Sequence, residues 1–181
     1  MRKKVAVIVG SIRGDSINLR LSKALARVAP DALELDWIPI DQLPVYNQDL
    51  DKELPAAARQ FKEKLTAYHG VLFVTPEHNR SIPAALKNAL DWGSRPYGQS
   101  VWAHKRAAIA GASIGAVGTA VAQSHLRGIL AYLNMPTLGQ PELYLHFVPD
   151  LIDSDGNIAN EGTGTFLRGF MEKFAAWVSV S

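Results

Sequence analysis

Ser11, Arg13, Ser16 and Asn18 crowd into the end of the stretch VAVIVGSIRGDSIN, Val5 to Asn18. Two hydroxyls, a guanidinium and an amide at that density can hold an anion. A helix starting just behind them would add unpaired main-chain N–H groups and the positive end of its dipole. The same residue types also make turns and helix caps, so the elements on either side decide what the stretch is for. The sequence contains neither G-x-x-x-x-G-K-[ST] nor G-x-G-x-x-G after the strand, which argues against a nucleoside triphosphate loop and a dinucleotide fingerprint. What remains suits one terminal phosphate.

Two further polar segments follow apolar runs in the same way. Val71 to Val74 leads into Pro76, Glu77, His78, Asn79 and Arg80, and Ala107 to Ala110 leads into GASIGAVG, Gly111 to Gly118, with Ser113 and Gly115. Of these side chains only His78 is an imidazole, which can carry or accept a proton. It is either a proton-bearing group beside a ligand or an ordinary polar loop residue. Asp153 and Asp155 ahead of Gly156 form a turn rather than a calcium loop, because Leu151 stands where a ligand would be needed.

The elements that must position these segments alternate. Val5 to Val9 is a short apolar run entering Gly10, the pattern of a strand buried on both faces in a parallel sheet. Ile17, Leu21, Ala24, Leu25 and Val28 recur at a helical period, with Asp15 or Ser16 as the cap. A second strand is expected within residues 31–40. A helix then starts at Pro55, with Phe61, Leu65 and Tyr68 inward and Arg59, Lys62, Glu63 and Lys64 in water. Ser81 is the expected cap of a third helix containing Leu86, Ala89 and Leu90. A fourth helix turns Val121, Leu126, Ile129, Leu130 and Leu133 inward, a fifth strand lies in residues 137–145, and Phe166, Phe170, Phe174 and Trp177 stripe a terminal helix.

Strand and helix thus alternate five times without a linker, which predicts one α/β domain over residues 1–181. The expected fold is a three-layer α/β sandwich whose five-stranded parallel sheet has the order 2-1-3-4-5. Ligands of such sheets bind beyond the carboxyl ends of the strands, where the order reverses, so the loops after strands one, three and four converge.

Composition narrows the function further. With no cysteine there is no thiolate catalysis, disulfide framework or cysteine-held metal, and no metal site is predicted. Nineteen basic and 17 acidic residues give a formal net charge of +2 without a basic run, so nucleic acid is not an expected partner. No run of 18 apolar residues occurs, and the expectation is a cytoplasmic protein without a membrane partner.

The segments GSIRGDSIN (Gly10 to Asn18), LPVYNQDL (Leu43 to Leu50), P-E-H-N with P-x-x-L-K-N-A-x-D-W (Pro76 to Trp92) and GASIGAVG make the chain, from residue 5 to about 145, resemble the NADPH-dependent FMN reductase family. Its quinone and chromate reductase branch is the nearest in pattern, and the resemblance implies that the fold class is a flavodoxin-like three-layer sandwich. The resemblance implies that Ser11, Arg13, Ser16 and Asn18 hold the FMN phosphate. It implies that Pro76, Glu77, His78 and Asn79 line the isoalloxazine ring, and that Ser113 and Gly115 approach from the other side. The family usually has tyrosine where this chain has His78.

The activity so implied passes hydride from NADPH or NADH through FMN to a small-molecule acceptor, a quinone or chromate, with ping-pong kinetics. No residue of the chain is needed as a catalytic nucleophile, His78 being a modulator at most. Arg80, Arg95 and Tyr97 are candidates for the substrate side, and a homodimer or homotetramer is implied. A flavodoxin-type electron carrier is the alternative, although such carriers are usually strongly acidic. A third reading, a module with an empty site, gives no reason for all four polar residues of the first loop.

Overall fold

The computed structural model describes residues 2–180. Five parallel strands, β1 (Lys3–Val9), β2 (Leu33–Trp37), β3 (Gly70–Val74), β4 (Arg106–Ser113) and β5 (Leu143–His146), pair in the order β2-β1-β3-β4-β5. The predicted order is therefore observed. Between and after them run α1 (Ile17–Arg27), α2 (Ala56–Thr66), α3 (Ala84–Ser94), α4 (Ala120–Tyr132) and α5 (Glu161–Ser179).

Both faces of the sheet are covered, as the unbroken apolar strands require. Val5 and Val7 of β1 pack with Leu21, Ala24 and Leu25 of α1 and with Phe170, Met171 and Phe174 of α5. Ala6 and Ile8, pointing the other way, pack with Phe61 and Leu65 of α2, Leu86, Ala89 and Leu90 of α3, and Leu126 and Leu130 of α4. Alternate residues of one strand thus feed two separate cores.

Four local expectations need correction. β4 continues through Gly111 and Ala112 to Ser113, because β5 supplies partners as far as Ser113 opposite His146; the third loop is correspondingly shorter. Ser81 does not cap α3, which begins after Pro83 without a side-chain cap. Phe166 is exposed, and Leu167 and Met171 take the inner face of α5. Lys62 belongs to the buried stripe Ala58, Phe61, Lys62, Leu65, not to the solvated face.

The end of β4 passes unusually close to its neighbours. A Cβ on Gly111 would stand 2.0 Å from Thr119 Oγ1 and 2.5 Å from the carbonyl oxygen of Thr75. Neither Thr75 nor Thr119 is exposed, so neither has room to retreat. Gly111→Ala is expected to lower stability by about 1–3 kcal/mol, the usual scale of overpacking. Urea unfolding should show this as a lower midpoint at an unchanged slope.

Candidate functional site

Three loops leave the carboxyl edge beside the point where the strand order reverses, and main-chain bonds fix where each departs. Gly10 N–H donates to Val74 O at 2.8 Å, and Thr75 N–H to Ala110 O at 2.9 Å. The amide of Asn18 closes the arrangement from α1: Nδ2 donates to Ala112 O and Oδ1 accepts from Ala112 N–H, both at 2.9 Å. Asn18 is 1% exposed. Its side chain thus serves β4, and the phosphate reading leaves it the task of orienting the loop rather than touching an anion.

The loop after β1 has the parts of an anion receptor. Ser16 caps α1, its Oγ accepting from Asn18 N–H at 3.2 Å. Ser11 Oγ accepts from Arg13 N–H at 3.3 Å, and the main-chain N–H groups of Gly14, Asp15 and Ser16 donate to no protein group among the described residues. Asp15 is engaged by Arg20, whose hydrogen bond and charge hold its carboxyl below the usual range. Arg13 meets Asp15 only at 4.0 Å, with three-quarters of its side chain in water. One guanidinium and several main-chain donors therefore remain available at a helix start.

The loop after β3 ends in a tight turn. His78 and Ser81 exchange main-chain hydrogen bonds at 2.9 Å, and the residues between them, Asn79 and Arg80, have φ of 49° and 63°. Asparagine tolerates this region, whereas arginine enters it at a cost on the order of 1–3 kcal/mol. Glu77 offsets that cost. Its carboxylate, 6% exposed, accepts from Arg80 at 2.7 Å and from the N–H groups of Val121 and Ala122 at 3.1 and 3.0 Å. Burial would raise its pKa, but the Ala122 amide, Arg80 and the Val121 amide together bring it below the ordinary value. On the other side of the turn, Ser81 Oγ lies 3.1 Å from His125 Nδ1. The turn is thus fastened to α4 at two points.

The third loop runs from Ile114 to Thr119. Gly115 N–H donates to Ser113 Oγ at 3.1 Å, and His146 Nε2 lies 3.1 Å from Ile114 O. Ile12, Ile114 and Val117 are exposed on the first and third loops. Donors for a phosphate, main chain open beside Gly14 and apolar side chains facing water fit a phosphate-bearing flat cofactor such as FMN.

Next to the turn, between α3 and α4, opens a cleft of about 990 Å³ lined by Ser81 and His125 together with Tyr46, Arg95, Tyr97 and Tyr132. Arg95 and Tyr97 are brought together here; Arg80 is not among the lining residues, its guanidinium being paired with Glu77. The segment carrying Tyr46 is secured to α3: Asn88 Oδ1 accepts from Tyr46 N–H at 2.8 Å, and Trp92 Nε1 donates to Pro44 O at 2.7 Å. These bonds explain why LPVYNQDL and K-N-A-x-D-W accompany one another. Sequence reasoning assigned no partner within the chain to Asn88, Trp92, His125 or Lys62. Only Lys62 left a signal, its place in the stripe 58, 61, 62, 65. Among the described residues no cluster of three or more His, Asp or Glu could hold a metal, and no helix is long and apolar enough to cross a membrane.

Sheet order defines a flavodoxin-like protein, and the chemistry of its loops fits a phosphorylated, planar cofactor. Comparison with known proteins gives the family. The sequence profile described as NADPH-dependent FMN reductase matches residues 3–150. A 2-hydroxy-1,4-benzoquinone reductase from Burkholderia sp is 53% identical over 178 residues, 98% of this chain and 97% of that protein. A quinone reductase from Pseudomonas putida is 45% identical, covering 98% and 95%. Among solved structures, the FerB flavoenzyme NAD(P)H:(acceptor) oxidoreductase from Paracoccus denitrificans superposes with a TM-score of 0.93 at 40% identity, over 97% of each chain. The chain belongs to the NADPH-dependent FMN reductase family and is an oxidoreductase of its quinone reductase branch.

Because the Glu77 carboxyl is held below its ordinary pKa of 4.5, its contribution to stability is full above that value and is lost as pH falls through the folded one. Urea unfolding between about pH 3 and pH 7 should show this loss in the natural chain, and Glu77→Gln should remove that part of the acid dependence. An acid dependence identical in both proteins would contradict the assignment.

Proposed function

We propose that this enzyme takes two electrons from NADPH or NADH through FMN and delivers them to a quinone-type acceptor. The observation carrying the reading is the convergence of the free anion-receptor loop, Ser11 to Ser16, with the turn at Pro76 to Ser81 at one edge of the sheet. Bound FMN would supply the redox chemistry; the chain's own residues bind, orient and tune.

Ser11, Ser16, the main-chain N–H groups and above all Arg13 hold the phosphate, with Asn18 keeping their loop in register. Pro76, Glu77, His78 and Asn79 form one side of the ring site, and Ser113 and Gly115 the other. Glu77 acts by keeping the turn against α4 rather than by contact through its carboxylate. His78, at the base of the turn, is the side chain of that segment left to modulate the site. Main-chain donors fixed in this way favour a reduced, more anionic ring without reorganising.

The chain has no separate dinucleotide motif, so donor and acceptor use one opening in turn, which gives ping-pong kinetics. Arg95 and Tyr97 face the acceptor, and the name of the Burkholderia relative makes a small hydroxyquinone the first compound to test. Chromate is a secondary acceptor. We further infer one FMN-binding domain over residues 1–181 in a cytoplasmic homodimer or homotetramer, a reading that rests on family likeness.

The test is anaerobic absorption of the FMN-loaded protein. Addition of NADPH or NADH should bleach the flavin band, and 2-hydroxy-1,4-benzoquinone should restore it. A band unchanged by both nicotinamides would leave an electron carrier and overturn the enzyme reading. Arg13→Ala is expected to weaken FMN binding by about 1.5–3 kcal/mol, the scale of a charge-assisted hydrogen bond. This corresponds to roughly 10- to 150-fold in Kd, readable by fluorescence titration. Unchanged affinity would remove Arg13 from the phosphate site.

A further inference from the structure

Lys62 of α2 is only 8% exposed, and it forms no ion pair among the described residues. Its Nζ donates to two main-chain carbonyls of one segment, Arg95 O and Gln99 O, the latter at 3.0 Å. An ammonium removed from water without a carboxylate beside it is costly, and the two carbonyl dipoles are what this site supplies in compensation. Burial lowers the Lys62 pKa, and the charge of Asp51 opposes that shift in part.

The segment so held is the one that walls the cleft. Its other main-chain bonds are local: Arg95 N–H to Trp92 O, Gln99 N–H to Pro96 O and Val101 N–H to Gly93 O. Lys62 therefore ties it to a helix distant in sequence. Two cleft residues depend on the result. The Arg95 guanidinium lies 5.8 Å from the Tyr46 ring centroid, and Tyr97 stands 89% exposed at the tip. A wall residue so exposed has no packing of its own to hold it.

We propose that Lys62 is a positioning residue for the electron acceptor: by holding the carbonyls of Arg95 and Gln99 it fixes segment 95–100, and with it Arg95 and Tyr97, as a preformed wall of the cleft. This rests on the reading above that these two side chains face the acceptor. The role explains a buried lysine on a helix whose other inward residues are apolar. It also separates binding from chemistry, because Lys62 reaches the cleft only through the main chain of the wall.

The test uses FMN-loaded Lys62→Met, which keeps the apolar stem and removes the donors, beside Lys62→Arg, which keeps them, and Arg95→Ala. Amide hydrogen exchange in residues 97–101 should quicken in Lys62→Met, and the quinone KM should rise about 3- to 10-fold with kcat within about twofold, as expected for lost preorganisation. Lys62→Arg should recover much of both changes. Should Lys62→Met fail to fold or retain FMN, Lys62→Gln, whose single amide on a shorter stem replaces the ammonium donors, takes its place with changes expected in the same direction. Wild-type exchange and KM in the Lys62 variant, while Arg95→Ala raises KM, would overturn the proposal alone. Faster exchange with unchanged KM would likewise overturn it, leaving Lys62 a fastening of the fold. An unchanged KM in Arg95→Ala would overturn the acceptor-facing wall and the proposal with it.

Discussion

The side-chain amide of Asn18 exchanges two hydrogen bonds with the main chain of Ala112, and the geometry of the whole site depends on it. At the carboxyl edge of a parallel sheet the last residues of a strand run out of neighbours, and a buried N–H or C=O left unpaired there costs on the order of 1–3 kcal/mol. Asn18 satisfies one of each at the end of β4. In doing so it fixes the first turn of α1, and so the loop from Ser11 to Ser16, relative to the third loop. The loop at the start of α1 and the loop after β4 then face a common space because one buried amide joins them.

The loop after β3 is placed by charge rather than by sheet pairing. Glu77, nearly out of water, accepts from two main-chain amides at the start of α4 and from Arg80. A carboxylate at a helix N-terminus meets both unpaired donors and a favourable dipole. The same contact holds Arg80 in a backbone conformation that arginine seldom adopts. A strained two-residue turn is thereby presented rigidly at the carboxyl edge of the sheet. In a flavin enzyme this matters because main-chain groups that do not move can favour the reduced cofactor without a reorganisation penalty.

The α3/α4 cleft extends this logic away from the three loops. Tyr46 is held by Asn88, Pro44 by Trp92, and the segment from Arg95 to Gln99 by Lys62. Each fastening joins main chain on a connecting segment to a side chain on a helix. The cleft is assembled from loops yet gains the rigidity of the helices under them. Loops can vary in sequence between relatives that share the sheet, whereas these fastenings set how firmly a given loop is held.

Much of this was legible in the amino-acid order. Uninterrupted apolar runs marked β1, β3 and β4, helical stripes marked the helices between them, and alternation of the two implied a parallel sheet. Paired motifs such as G-S-x-R-x-x-S-x-N and P-E-x-N identified the loops that matter. Local patterns suffice where the determinant is a period or a turn residue, because those act within a few residues. They could not show that Asn18 would bond to Ala112 rather than to an anion, since both uses demand the same amide. Nor could they show that Glu77 faces α4, that Ser81 meets His125 instead of capping α3, or that Lys62 points inward to the carbonyls of Arg95 and Gln99. By itself the sequence determined the alternation of strands and helices and the family of chemistry. Only the tertiary structure decided which polar side chains remain free for a ligand and which are consumed in holding the loops, because that depends on partners 33 to 94 residues away.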